Sequence, residues 1–88
     1  EFRRVLFRSA AAKTGHLDAK PHELIALVVA VTTCCDGCIS IHTKKAVEHG
    51  ATRGEIAEAL GVAIALNAGA TLVYSARDLE AHAQLPAA

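Results

Sequence analysis

Cys35-Asp36-Gly37-Cys38-Ile39-Ser40-Ile41-His42 sets two thiols and an imidazole at positions i, i+3 and i+7. On an α-helix these positions share one face, so the spacing makes chemical sense if the segment is helical. Asp36-Gly37 suits a turn or the first residues of a helix. That places the thiols near a helix N-terminus, where unpaired N–H groups and the macrodipole favour thiolate over thiol. A readily ionised dithiol beside a histidine is the outline of a redox catalyst.

The core available to such helices is built from Ala, Leu, Val and Ile. Of the 88 residues 52% are apolar and only 3% aromatic, a mixture that suits closely packed helices. One domain is all this length allows. A domain so small cannot hide that much apolar surface by itself, so a homo-oligomer is expected. The formal net charge is zero, which gives no pointer to nucleic acid or to an anionic membrane. The longest uninterrupted apolar run, residues 24–31, is eight residues. A bilayer needs about 20, so no membrane span is expected. The three early arginines are not followed by an apolar stretch and cleavage site, so no signal peptide is expected. Three cysteines, two of them adjacent, do not make a secreted disulfide framework, and a reducing cytoplasm fits better.

Residues 1–9, EFRRVLFRS, differ sharply from everything after Ala10: they hold three of the nine basic residues and both phenylalanines. They read as the translation of a common sequencing-adaptor oligonucleotide. The alternative is an amphipathic N-terminal helix with Val5 and Leu6 on its apolar side. We take residues 1–9 as non-native and residues 10–88 as the helical domain, expected to lack a native N-terminal portion. Without the segment the chain carries six basic and eight acidic residues.

Punctuation along the chain predicts the helices. Residues 10–14 read as the tail of a helix closed by Gly15 at C′. Pro21 suits the first position of the next helix, which would run through Glu23, Leu24, Leu27, Val28 and Val31 to about Thr33. A second helix opens with the Cys35–Cys38 segment and ends at Gly50, with His49 in its last turn. Thr52-Arg53-Gly54-Glu55 matches a capping box and starts a third. Asn67-Ala68-Gly69 predicts a break or kink, followed by a final helix from Thr71 to about Ala83, which Pro86 limits. Short connections imply antiparallel neighbours, hence a small all-α antiparallel bundle.

Glu23 then falls into place. If the second helix folds back on the first, His42 lies about 10 Å along it from Cys35 and Glu23 roughly 15 Å back from the first helix's end. The two side chains reach nearly the same level, directly or through one water. Glu23 itself is too far to touch Cys35.

Glu23, Cys35-x-x-Cys38 and His42 together resemble the active-site pattern of the AhpD-like alkylhydroperoxidases, in the carboxymuconolactone decarboxylase superfamily. The resemblance extends from about Ala11 to Leu85 and includes Glu23-Leu24-Ile25-Ala26-Leu27, His49-Gly50-Ala51-Thr52 and Glu55-Ile56-Ala57-Glu58-Ala59-Leu60. It implies an all-helical fold, trimers or hexamers, and a peroxidase with a redox-active cysteine pair. It further implies that Cys38 attacks the hydroperoxide, Cys35 resolves the sulfenic acid as a disulfide, and His42 and Glu23 relay the proton. A thiol or dithiol protein would reopen the disulfide, and no cofactor or metal is implied. In thioredoxin-like sites the first cysteine is the activated one, but the i, i+4 relation of Cys38 to His42 favours the second. Some members carry a histidine where Gly37 stands, so proton delivery here would be weaker.

Other readings stay open. Lactone decarboxylation, from the superfamily name, needs no cysteines. A zinc site from Cys34, Cys35, Cys38 and His42 has suitable ligands but poor geometry from adjacent cysteines. A non-enzymatic assembly module is the third. Cys34 is either a buried apolar residue on the first helix or a competing resolving thiol. Glu23 could merely serve the helix dipole. His16, His22 and His82 read as solvated, and His49 as a helix cap. Asn67 and Tyr74 either line a pocket or serve as a kink and an interface ring.

Overall fold

The structure, a computed structural model, describes residues 15–87. These are all-helical: α1 is Ala19–Thr32, α2 Asp36–Glu48 and α3 Arg53–Ala83, with no strand among the described residues. The chain divides into two compact units, Glu1–Thr52 and Arg53–Ala88. Residues 1–9 and the expected helix tail at 10–14 lie outside the described residues. Gly15 has a φ of 71°, in the left-handed region that glycine adopts without steric cost.

α1 starts two residues before the expected position. Asp18 is extended, and its carbonyl accepts the first helical bond from the His22 N–H at 3.1 Å. Pro21 is therefore the third residue of the helix, not the first. The position is still tolerated, because N–H groups of the first turn have no intrahelical acceptor.

α1 and α2 end on the same motif. At the end of α2, Gly50 takes a φ of 89°, its N–H bonds the Val47 carbonyl at 3.0 Å, and the Ala51 N–H reaches the Ala46 carbonyl at 2.9 Å. At the end of α1 the residue in that left-handed position is Cys34, with a φ of 57°. Its N–H bonds Val31 at 3.1 Å and the Cys35 N–H reaches Ala30 at 2.9 Å. Both are Schellman closures, which favour glycine because other residues pay for a positive φ. Cys34 is thus exposed in the turn, and the expectation that it is buried on the first helix is corrected.

Within the first unit α1 and α2 pack on one another. Among its described residues the buried apolar side chains are Leu27 and Ala30 on α1, Ala46 on α2, and Ala51. Amid these described residues Glu23 is a buried polar one.

α3 is one unbroken helix of 31 residues, so the expected break at Asn67-Ala68-Gly69 is not there. A single glycine costs a helix only about 1 kcal/mol relative to alanine. The Asn67 side chain, part of the expected break, bonds back into the helix instead, as do two polar side chains that follow it. The Asn67 amide donates to the Ala63 carbonyl at 2.8 Å, the Thr71 hydroxyl to Asn67 at 2.8 Å and the Ser75 hydroxyl to Thr71 at 2.7 Å. Each residue thereby satisfies its own side chain without competing for the ladder. The start is as the capping pattern predicts, with Thr52 immediately before Arg53.

Continuity also bears on the expectation that no membrane span is present. No charged residue stands between Glu58 and Arg77, and an 18-residue window of α3 has a mean hydropathy of 1.7. By length and composition α3 could cross a membrane, as could the core helix of a soluble protein. An uninterrupted-run criterion misses this stretch because Asn67, Thr71 and Ser75 dilute it. They recur every four residues, so they form one narrow polar stripe on the otherwise apolar stretch between Glu58 and Arg77.

Candidate active site

α1 carries Glu23 and α2 carries His42, and the packing of these helices brings the two side chains into direct contact. The His42 Nδ1–H donates to Glu23 Oε1 at 2.7 Å, with no water needed between them. The other carboxylate oxygen is also occupied: His22 Nδ1–H donates to Oε2 at 3.2 Å. A carboxylate only accepts, so both rings carry a proton on Nδ1, and Nε2 is the basic nitrogen of the neutral imidazole. Glu23 is not in the first turn of α1, where no acidic residue stands. At 8% exposure with two imidazoles bonded to it, Glu23 is not a dipole-serving surface carboxylate.

Burial pushes the Glu23 carboxyl up, but the hydrogen bonds from His42 and His22 and the nearby charges of His42 and Lys45 outweigh it. The net effect holds the group below its ordinary value of 4.5. Its folded value is lower than its unfolded one, so the stabilisation is complete above the ordinary value and is lost as pH falls through the folded value. The melting temperature should therefore fall on the acid side of pH 4.5, and Glu23→Gln should flatten that limb. Acid limbs that superpose for the two proteins would show that Glu23 contributes nothing to it.

The sulfurs lie at the start of α2. Cys35 is its N-cap, Cys38 is in its first turn, and both are partly buried. They are joined as a disulfide with Cα atoms 5.3 Å apart, within the ordinary range for such a bond. Cys38 and His42 are one turn apart on α2, at the i, i+4 separation that makes helix neighbours. The third cysteine, Cys34, is a free exposed thiol in the preceding turn.

Two residues of this site were not legible beforehand. His22, expected to be solvated, is half-buried against Glu23. Adjacent helix positions point about 100° apart, so spacing gives no hint of this contact. Lys45 is three residues after His42 on α2, and its charge acts on Glu23. Its i+3 relation to His42 was the available signal. His16 and His82 are exposed as expected, and His49 is the C-cap of α2. Asn67 and Tyr74 are exposed on α3, where Tyr74 lies under the Arg77 guanidinium at 4.6 Å. Among the described residues no group of three or more His, Cys, Asp or Glu is placed to hold a metal ion, with Cys35 and Cys38 joined to one another.

A helical fold with a buried glutamate bonded to a histidine one turn from a cysteine pair defines a recognisable class. The model of the carboxymuconolactone decarboxylase family matches residues 2–81, and the chain belongs to that family. It is 59% identical over 74 residues to an uncharacterized protein of Haemophilus influenzae, covering 84% of this chain and 66% of the relative. An uncharacterized protein of Cupriavidus necator is 40% identical over 70 residues, 80% of this chain and 62% of its own. A third, uncharacterized protein 4 in the cox locus of Paracoccus denitrificans, is 42% identical over 65 residues, covering 74% and 59%. The chain thus spans 59 to 66% of the length of these relatives.

Proposed function

We propose that the chain is a thiol-dependent peroxidase, reducing hydroperoxides through Cys38 and Cys35 with His42 and Glu23 as the proton relay. One observation carries the reading: a dithiol closed as a disulfide at the start of α2, one turn from an imidazole held by a buried carboxylate. In the reduced protein, Nε2 of His42 takes the Cys38 thiol proton while Nδ1–H stays on Glu23. The Cys38 thiolate attacks a peroxide oxygen; the S–O bond forms, the O–O bond breaks, and the alcohol leaves with the proton from His42. The Cys35 sulfur then attacks the Cys38 sulfenic acid, the disulfide forms, and water leaves with the Cys35 proton. Sulfur has been oxidised and the peroxide reduced to an alcohol. A thiol or dithiol protein returns two electrons by thiol–disulfide exchange. The family's name also points to lactone decarboxylation, but that chemistry has no use for the dithiol.

The assembly we propose is a homotrimer or homohexamer of antiparallel AhpD-like bundles in a reducing cytoplasm. Its support is the apolar surface of α3, where Val62, Ile64, Leu66, Leu72, Val73 and Leu79 are each more than half exposed. Second copies of the chain would cover it.

One preparation tests both. The mass of the reduced chain by light scattering should be that of three or six copies; a detergent-free monomer would end the assembly proposal. A stoichiometric pulse of hydrogen peroxide should then leave Cys34 free and link Cys35 to Cys38, read by peptide mass. A Cys34–Cys38 linkage would move the resolving role to Cys34. Three free thiols after the pulse would sink the peroxidase reading.

A further inference from the structure

The relay uses one imidazole on Glu23, but the carboxylate holds two. His42 occupies Oε1 at 2.7 Å and His22 occupies Oε2 at 3.2 Å. Side-chain exposure orders the three groups: 10% for Glu23, 18% for His42 and 32% for His22. His22 therefore stands on the solvent side of the carboxylate. A glutamate held at one oxygen can swing about its remaining torsions or turn its second oxygen to a partner, whereas one held at both presents a single orientation. Among the described residues, the charged and titratable groups that act on it are His22 on α1 and His42 and Lys45 on α2.

We propose that His22 is a positioning residue: it closes the outer oxygen of Glu23 so that the inner one keeps His42 in the Nδ1-protonated tautomer, with Nε2 free as a base. The orientation stands on geometry alone; its consequence for Cys38 rests on the peroxidase reading above. His22 would act only through Glu23 and His42, touching neither sulfur nor peroxide.

The test compares His22→Val with His22→Asn in the reduced full chain. The asparagine side-chain amide can donate to Oε2 in place of Nδ1–H, and valine cannot. Two readouts are needed: the His42 ring nitrogens by long-range ¹⁵N–¹H NMR, which report the tautomer, and Cys38 alkylation by iodoacetamide against pH, resolved from Cys34 by peptide mass. Wild type and His22→Asn should show His42 protonated on Nδ1. His22→Val should show mixed tautomers, and Cys38 alkylation near neutral pH should fall about tenfold, the scale of one lost hydrogen bond to a charged group. His22→Ala serves in its place if the valine chain loses its helical circular dichroism. An apolar variant that melts earlier but keeps the His42 tautomer and the Cys38 pH profile would overturn the proposal, since His22 would then be structural only. A tautomer that shifts with valine and returns with asparagine supports the positioning role even if no variant consumes peroxide. That last result would remove the peroxidase reading instead.

Discussion

Cys38→Ser should reduce peroxide consumption to the background of a thiol-free protein, a loss of at least ~10³-fold, the scale seen when a nucleophile is removed. A serine hydroxyl at this position has no accessible anion near neutral pH and cannot be oxidised by a peroxide, so neither electron transfer nor disulfide formation remains. Cys35→Ser behaves differently on the proposed roles. Cys38 still attacks, but its sulfenic acid has no partner within the pair and should accumulate, trappable by a cyclic diketone and visible by mass. Together the two variants assign the order of events. Should Cys35→Ser keep full multiple turnover, resolution belongs to Cys34, whose exposed thiol sits one residue before Cys35 in the connecting turn. If Cys38→Ser retains activity that Cys35→Ser loses, the first cysteine is the nucleophile, as in thioredoxin-like sites.

The helical class and the Glu23–His42 contact were legible in the sequence because they rest on local rules. Glycine, the threonine capping pattern and the 3.6-residue period fixed where α2 begins and ends and where α3 begins, and helix rise placed Glu23 level with His42. The misreadings share a different origin. Cys34 closes α1 in a conformation that glycine normally supplies, so residue identity gave no stop signal there. Asn67 looks like a breaker only if side-chain polarity is counted against the helix, and Gly69 only if its backbone cost of about 1 kcal/mol is taken as decisive. In α3 the Asn67 amide is instead spent on the Ala63 carbonyl. That misreading hid the full length of α3, and with it the continuity of the uncharged stretch between Glu58 and Arg77. His22 depended on a contact between neighbours that no periodicity encodes.

His42→Gln is the substitution with the next largest expected effect, because it removes the base and leaves much of the architecture. The glutamine amide can still donate to Glu23 Oε1, and His22 still holds Oε2, so the buried carboxylate keeps its partners. What disappears is the nitrogen that accepts the Cys38 proton. The rate of peroxide reduction near neutral pH should fall by about 10²-fold, the lower end of what a positioned general base supplies. Alkylation of reduced Cys38 should shift to higher pH, because the thiolate must then form without an adjacent base. Glu23→Gln tests the same chain of contacts one step back: it keeps the imidazole but removes the carboxylate that orients it, so its loss should be smaller. The order His42→Gln below Glu23→Gln below wild type is the signature of a relay running from carboxylate to imidazole to thiol. A His42→Gln profile that superposes on wild type would take the histidine out of the chemistry, leaving the helix N-terminus as the only source of thiolate at Cys38.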